Sequence, residues 1–180
     1  TNTLTCSDRG AGLQVNDNAV LNITADSTGS LLANGGILTL GSGIGSSDVF
    51  DNTGTVTISG GTVTATGGDM GAGIGGAGLG SGGTVTIMGG TVTATGGALF
   101  GPGIGGWNDA TVIISGGMVT ATGFASPDMP LRLVLFQDAF DLFVHLHVDP
   151  GQAFGHVFVN GRLGNLVRPR RFTHRRPGFD

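Results

Sequence analysis

From residue 54 onward the chain alternates apolar residues with threonine at a period of two, and then repeats the passage. Val56-Thr57-Ile58 and Val63-Thr64-Ala65 return as Val85-Thr86-Ile87 and Val92-Thr93-Ala94, and again as Val112-Ile113-Ile114 and Val119-Thr120-Ala121. Such alternation predicts short strands with one buried face, and the dominance of Gly, Thr and Val argues against helix. Gly-Gly pairs at 60–61, 67–68 and 89–90 separate the strands. They predict tight corners with positive φ, a region that a side chain with a Cβ resists. A further short segment lies in a Gly-x-Gly-Ile-Gly element at 41–45, 71–75 and 101–105, which sets a period of 30 residues.

Three short strands per turn of about 30 residues predict an all-β chain, a right-handed parallel β-helix of about four turns spanning residues 1–123. Residues 1–34 read as a degenerate first turn, with Leu21-Asn22-Ile23 standing for Val56-Thr57-Ile58. At about 4.8 Å per turn the rod would be roughly 20 Å long. Its interior would hold ladders of like residues: Ile58, Ile87 and Ile114; Val63, Val92 and Val119; Ala65, Ala94 and Ala121; Ile44, Ile74 and Ile104. Thr64, Thr93 and Thr120 would form a ladder outside. A β-roll or a small sandwich of hairpins is the competing architecture, disfavoured because the repeats lack a two-residue hairpin turn.

Composition changes this picture at one place. Of 180 residues 37 are Gly, and Lys, Glu and Tyr do not occur. Residues 124–180, however, hold seven of the eight Arg, all four His and eight of the ten Phe. The expected division is therefore residues 1–123 as Gly-rich repeats and 124–180 as a β-hairpin cap with a basic tail. The hairpin would run from 140–148 through Asp149-Pro150-Gly151 into 153–159, shielding a strand edge that solenoids otherwise expose. A shift of this kind is also what a changed or joined reading frame produces. Residues 1–123 carry Arg9 and seven Asp, a net −6, which gives no electrostatic reason to bind nucleic acid or an anionic membrane. Cys6 is the single cysteine, so no intrachain disulfide or thiolate cluster is expected. The absence of an initiator Met and of a signal-like apolar run fits a mature or trimmed product. The apolar stretch 131–148 is broken by Arg132, Asp138, Asp141 and two His, so no membrane insertion is expected.

The pattern Thr-Val-Thr-Ile-Ser-Gly-Gly-Thr-Val-Thr-Ala-Thr-Gly-Gly, followed by Gly-Ala-Gly-Ile-Gly-Gly, resembles Gly-rich repeats in secreted or surface proteins of gut and cellulolytic Firmicutes. These are similar to carbohydrate-binding and adhesin-like β-helix proteins with a pectate-lyase-like fold. The resemblance covers roughly residues 10–123. It implies an extracellular or cell-surface setting and a polysaccharide partner, on a scaffold that by itself specifies no activity. Lyases of that fold use an Arg or Lys base, and this chain has neither between Arg9 and Arg132. Glycosidases need a pair of close carboxylates, whereas the Asp residues here are scattered singly through the turns.

Candidate chemistry concentrates where the repeat breaks. Trp107, the one Trp, stands where the preceding turns have Ala77 and Ser47. With Phe100 and Asp109 in the same loop it suits a platform for a sugar ring, or a packing lid. Thr64, Thr93 and Thr120 are further ligand candidates along a strand face, and their regular array resembles that of ice-binding β-solenoids; a solvated strand face is the plain alternative. His145 and His147 have the spacing of a metal-ligand pair, with His156 or Asp149 as a third, although no cofactor is required. A polysaccharide-binding or adhesin-like role is expected. A hydrolase of glycans or esters with its site between repeats and tail is the alternative, and a structural stalk a third.

Overall fold

The computed structural model describes residues 1–36 and 40–123, and beyond them the backbone of three strands. Every turn of the repeat contributes one strand to each of three parallel sheets. The strands are β1 (Asn2–Thr5), β2 (Leu13–Gln14), β3 (Val20–Ile23), β4 (Ser30–Asn34), β5 (Ile44–Gly45) and β6 (Thr55–Ile58). They continue with β7 (Thr62–Thr66), β8 (Ile74–Gly75), β9 (Gly83–Ile87), β10 (Thr91–Thr95), β11 (Ile104–Gly105), β12 (Ala110–Ile114) and β13 (Met118–Thr122). The first sheet is ordered β1-β4-β7-β10-β13, the second β2-β5-β8-β11 and the third β3-β6-β9-β12. This is the expected parallel β-solenoid of about four turns, with no helix among the described residues.

Register follows sequence identity. Val63, Val92 and Val119 stack in the first sheet, as do Ala65, Ala94 and Ala121. Ile58, Ile87 and Ile114 stack in the third, and Ile44, Ile74 and Ile104 in the second. All twelve are buried, and they form one continuous core with Val56, Val85 and Val112. A one-residue slip would turn each of these ladders outward and each Thr inward, so register is strongly specified. The degenerate first turn obeys it too: Leu21 lies against Val56, Ile23 against Ile58 and Leu13 against Ile44.

The glycines divide into two kinds. At the corner between the third and first sheets, Gly61, Gly90 and Gly117 have φ of 72°, 81° and 83°, as a tight left-handed corner demands. At the Gly67–Gly68 pair the expected reason does not apply to Gly67, which is not in the positive-φ region. There a Cβ would lie 2.1 Å from the Gly71 carbonyl oxygen, so close backbone approach excludes the side chain instead.

Beyond Gly123 two strands extend the parallel sheets. β14 (Leu131–Leu135) pairs with β12, and β15 (Phe143–His147) pairs with β13. β16 (Phe158–Val159) then runs antiparallel to β15, with Val144 opposite Val159 and His145 opposite Phe158. The expected turn at Asp149-Pro150-Gly151 lies outside the described residues, as does the basic tail.

Candidate cleft at the second-sheet corner

The strands of the second sheet are two residues long, so most of each turn at this corner is loop. One column of loops joins the first sheet to the second, through residues 6–12, 35–36 with 40–43, 67–73 and 96–103. A second column joins the second sheet to the third, through 46–54, 76–82 and 106–109. Backbone hydrogen bonds tie the first column together from turn to turn. Gly68 donates to the Gly41 carbonyl at 2.8 Å, Gly97 to Gly71 at 3.0 Å and Leu99 to Asp69 at 2.7 Å. Within the third turn the neck of the loop closes by a bridge between Gly71 and Ala77 and a 3.2 Å bond from Gly78 N–H to the Met70 carbonyl. The loops are thereby fixed by the same ladder logic as the strands.

Between these columns lies a cleft of about 400 Å³ lined by Arg9, Leu40, Ser47, Asp48, Val49, Asp69, Met70 and Leu99. Four successive turns contribute to it, so it runs along the solenoid axis. Leu40, Val49, Met70 and Leu99 provide apolar surface, and Leu99 is 54% exposed. The Asp48 carboxylate accepts the Val49 N–H at 2.6 Å, and the Ser47 hydroxyl accepts from Gln14 Nε2 at 2.8 Å. The Arg9 guanidinium and the Asp69 carboxylate make no ion pair or side-chain hydrogen bond with another described residue.

Phe100 and Trp107 extend this arrangement. In each turn one residue precedes the glycine that opens the Gly-x-Gly element, namely Arg9, Leu40, Met70 and Phe100. The first three line the cleft, and Phe100 is the fourth-turn member of the column. It meets Trp107 edge-to-face, with ring centroids 6.0 Å apart and planes at 84°, and the indole N–H donates to its carbonyl at 3.2 Å. Trp107 occupies the position of Ser47 two turns earlier, itself a cleft residue. Phe100 is 54% exposed and has φ of 74°, a left-handed conformation that a bulky residue adopts at a cost of about 1–3 kcal/mol. Asp109 is exposed. Its backbone carbonyl accepts from Gly82 N–H and the Ser81 hydroxyl, which anchors the end of the Trp107 loop.

The remaining expected site residues lie elsewhere. Thr64, Thr93 and Thr120 form one half-buried column on the first sheet, and none lines the cleft. His145 and His147 take the register positions above Thr120 and Thr122. His156 lies outside the described residues.

Sequence reasoning singles out Trp107 and Phe100 as residues of one loop, but neither their edge-to-face contact nor the cleft follows from it. The signal for it is the column Arg9, Leu40, Met70 and Phe100, one residue ahead of the Gly-x-Gly element in each turn. A second miss is internal. Ser42, Ser46 and Thr53 are buried, and Ser42 Oγ and Thr53 Oγ1 both donate to the Gly75 carbonyl, at 2.5 and 2.7 Å. Thr53 Oγ1 also accepts from Ser46 N–H at 3.0 Å, and Ser46 Oγ accepts from Ala77 N–H at 2.7 Å. These side chains tie the second turn to the third where the other turns have Ala72, Gly76 and Pro102.

Comparison with known proteins agrees with the repeat. Residues 56–78, 85–106 and 112–126 match a family model described as a beta helix repeat. Each matched segment opens in the same column, at Val56, Val85 and Val112. No curated protein and no solved structure matches the chain. The chain is a β-solenoid whose stacked turns are similar to the beta helix repeat.

Proposed function

We propose that this protein is a secreted or surface-attached binding protein that holds an extended polysaccharide in the axial cleft at the second-sheet corner. The observation that carries this reading is the continuity of one column of loops, Arg9, Leu40, Met70 and Phe100, across four turns. Sugar rings present apolar C–H faces and polar rims. The cleft matches them with Leu40, Val49, Met70 and Leu99 for the faces and Arg9, Ser47, Asp48 and Asp69 for the hydroxyls. The Phe100–Trp107 pair lies at the C-terminal end of the same column and offers a stacking surface for a terminal ring. Because backbone bonds between turns fix the loops, little ordering accompanies binding. The extracellular setting is supported by the resemblance of the repeats to those of secreted and surface proteins.

The test is binding to a panel of insoluble and soluble polysaccharides, with Met70→Asp and Trp107→Ala as variants. At least one glycan should bind, and Met70→Asp should weaken it by about tenfold or more while the fold is retained. Binding unaffected by both substitutions removes the cleft from the reading, and no binding to any glycan overturns it.

A second reading rests on the outer face of the first sheet. There Thr64, Thr93 and Thr120 lie in register beside Thr66, Thr95 and Thr122. The array repeats at about 4.8 Å between turns and about 6.7 Å along each strand. Fixed β-branched rotamers on such a lattice suit a crystalline surface such as ice. Growth-rate measurements on ice crystals with Thr93→Tyr test it, and an inactive wild type excludes it.

A further inference from the structure

The charges around the cleft specify the chemistry of the glycan, and this inference rests on the binding reading above. Two carboxylates line it on opposite sides: Asp69 in the loop between first and second sheets, Asp48 in the loop between second and third. Arg9 is the one cationic residue among the described residues of the lining, and it is the one Lys or Arg in residues 1–123. The described lining is therefore net −1, within a repeat region of net −6 from one Arg and seven Asp. A uronate or sulfated glycan would enter against this field, and a neutral glycan would gain nothing from it. A sugar bearing a protonated amine would instead convert two hydroxyl-type contacts into charge-assisted hydrogen bonds, which are roughly twice as strong as neutral ones.

We propose that the cleft selects a glycan whose repeating sugar carries a free amino group, a de-N-acetylated amino-sugar polymer. Asp48 and Asp69 accept from ammonium groups on successive residues of the glycan. Leu40, Val49, Met70 and Leu99 take the C–H faces between them. Arg9, which can only donate, takes a hydroxyl or residual acetamide oxygen at the N-terminal end and repels an amine there. Direction along the axis follows from that asymmetry.

The experiment compares a soluble β-1,4-linked glucosamine oligomer, its fully N-acetylated form and a neutral β-1,4-glucan oligomer, measured calorimetrically on the full chain at low salt. At about pH 5.5 the amine form should bind about tenfold more tightly than the other two. That preference should shrink as salt screens it and vanish as pH rises through the ligand amine pKa. Asp48→Asn and Asp69→Asn preserve shape, and together they should abolish the preference, so that the amine form binds no more tightly than the other two. Equal affinity for all three oligomers, or a preference that survives both substitutions, overturns the amine selectivity and leaves the glycan cleft intact. Failure of all three to bind, with other polysaccharides also unbound, overturns both.

Discussion

The stacked strands and the second-sheet corner are built from the same repeat of 27–30 residues, yet they use it in opposite ways. In the first and third sheets the same residue returns at each level, Ile58 above Ile87 above Ile114, and identity itself makes the packing: like shapes nest at a constant spacing. At the corner the period is kept in the backbone and released in the side chains, so that Arg9, Leu40, Met70 and Phe100 occupy one column. Repetition there would give a uniform ridge. Variation gives a surface with a cationic end, an apolar middle and an aromatic end. A solenoid can tolerate this because the corner loops are tied turn to turn through backbone bonds, such as Leu99 N–H to the Asp69 carbonyl, that do not depend on side-chain identity.

That contrast can be broken most severely at Gly75. Its φ is 129°, and a Cβ would stand 2.0 Å from the Gly105 carbonyl oxygen. Gly75→Ala should cost about 4 kcal/mol or more and separate the turns on either side, visible as a large fall in the urea midpoint. Next comes the core ladder. Ile87→Ala removes a fully buried side chain between two others and should cost about 2–5 kcal/mol. Thr93→Val, at an outward position of the next strand, should stay within about 0.5 kcal/mol, so the two variants measure how sharply the two faces of one turn differ.

The buried hydrogen bonds of the second turn give an intermediate effect. Thr53→Val leaves Ser46 N–H and the Gly75 carbonyl with one partner fewer and should cost about 1–3 kcal/mol in chemical denaturation. Trp107→Ala addresses the corner surface. It should lower glycan affinity by about tenfold while changing the unfolding midpoint much less than Ile87→Ala does, because Trp107 packs on an exposed Phe100 and not on the core.

The smallest effect is expected at Asp26. The Thr24 hydroxyl, and then its own backbone N–H, hold its carboxyl below the ordinary carboxylate range. A folded-state pKa below the unfolded one contributes stability above the unfolded value and loses it as pH falls through the folded one. Any contribution of Asp26 is thus present at neutral pH and lost only in strong acid. Full exposure keeps it slight. Thr24→Val should raise the Asp26 titration midpoint by NMR with little change in stability at neutral pH.

The architecture was legible in residues such as Val63, Ala65 and Ile74 because a period of two inside a period of 30 admits few other packings. The Gly-Gly corners were read correctly at Gly61 and Gly90, where backbone handedness decides. At Gly67 the deciding contact is with Gly71, and a single strand pattern does not reveal that approach. Trp107 was visible as a break in the repeat. Its partner surface was not, because Asp48 and Asp69 look like isolated turn residues until the loops are folded against each other.

The sequence alone determined what recurs: strand length, buried face, register and the order of corners, since each is a local preference multiplied by repetition. It also determined that residues 1–123 are acidic with one cation. Only the tertiary structure decided which unlike residues become neighbours. Arg9, Leu40 and Met70 are brought into one line by the stacking of turns, and Asp48 faces the Asp69 loop because two-residue strands at the second sheet bring both loop columns to the same corner. Stacking turns a period along the chain into a distance of one strand spacing, and residues about 30 positions apart come to share one surface.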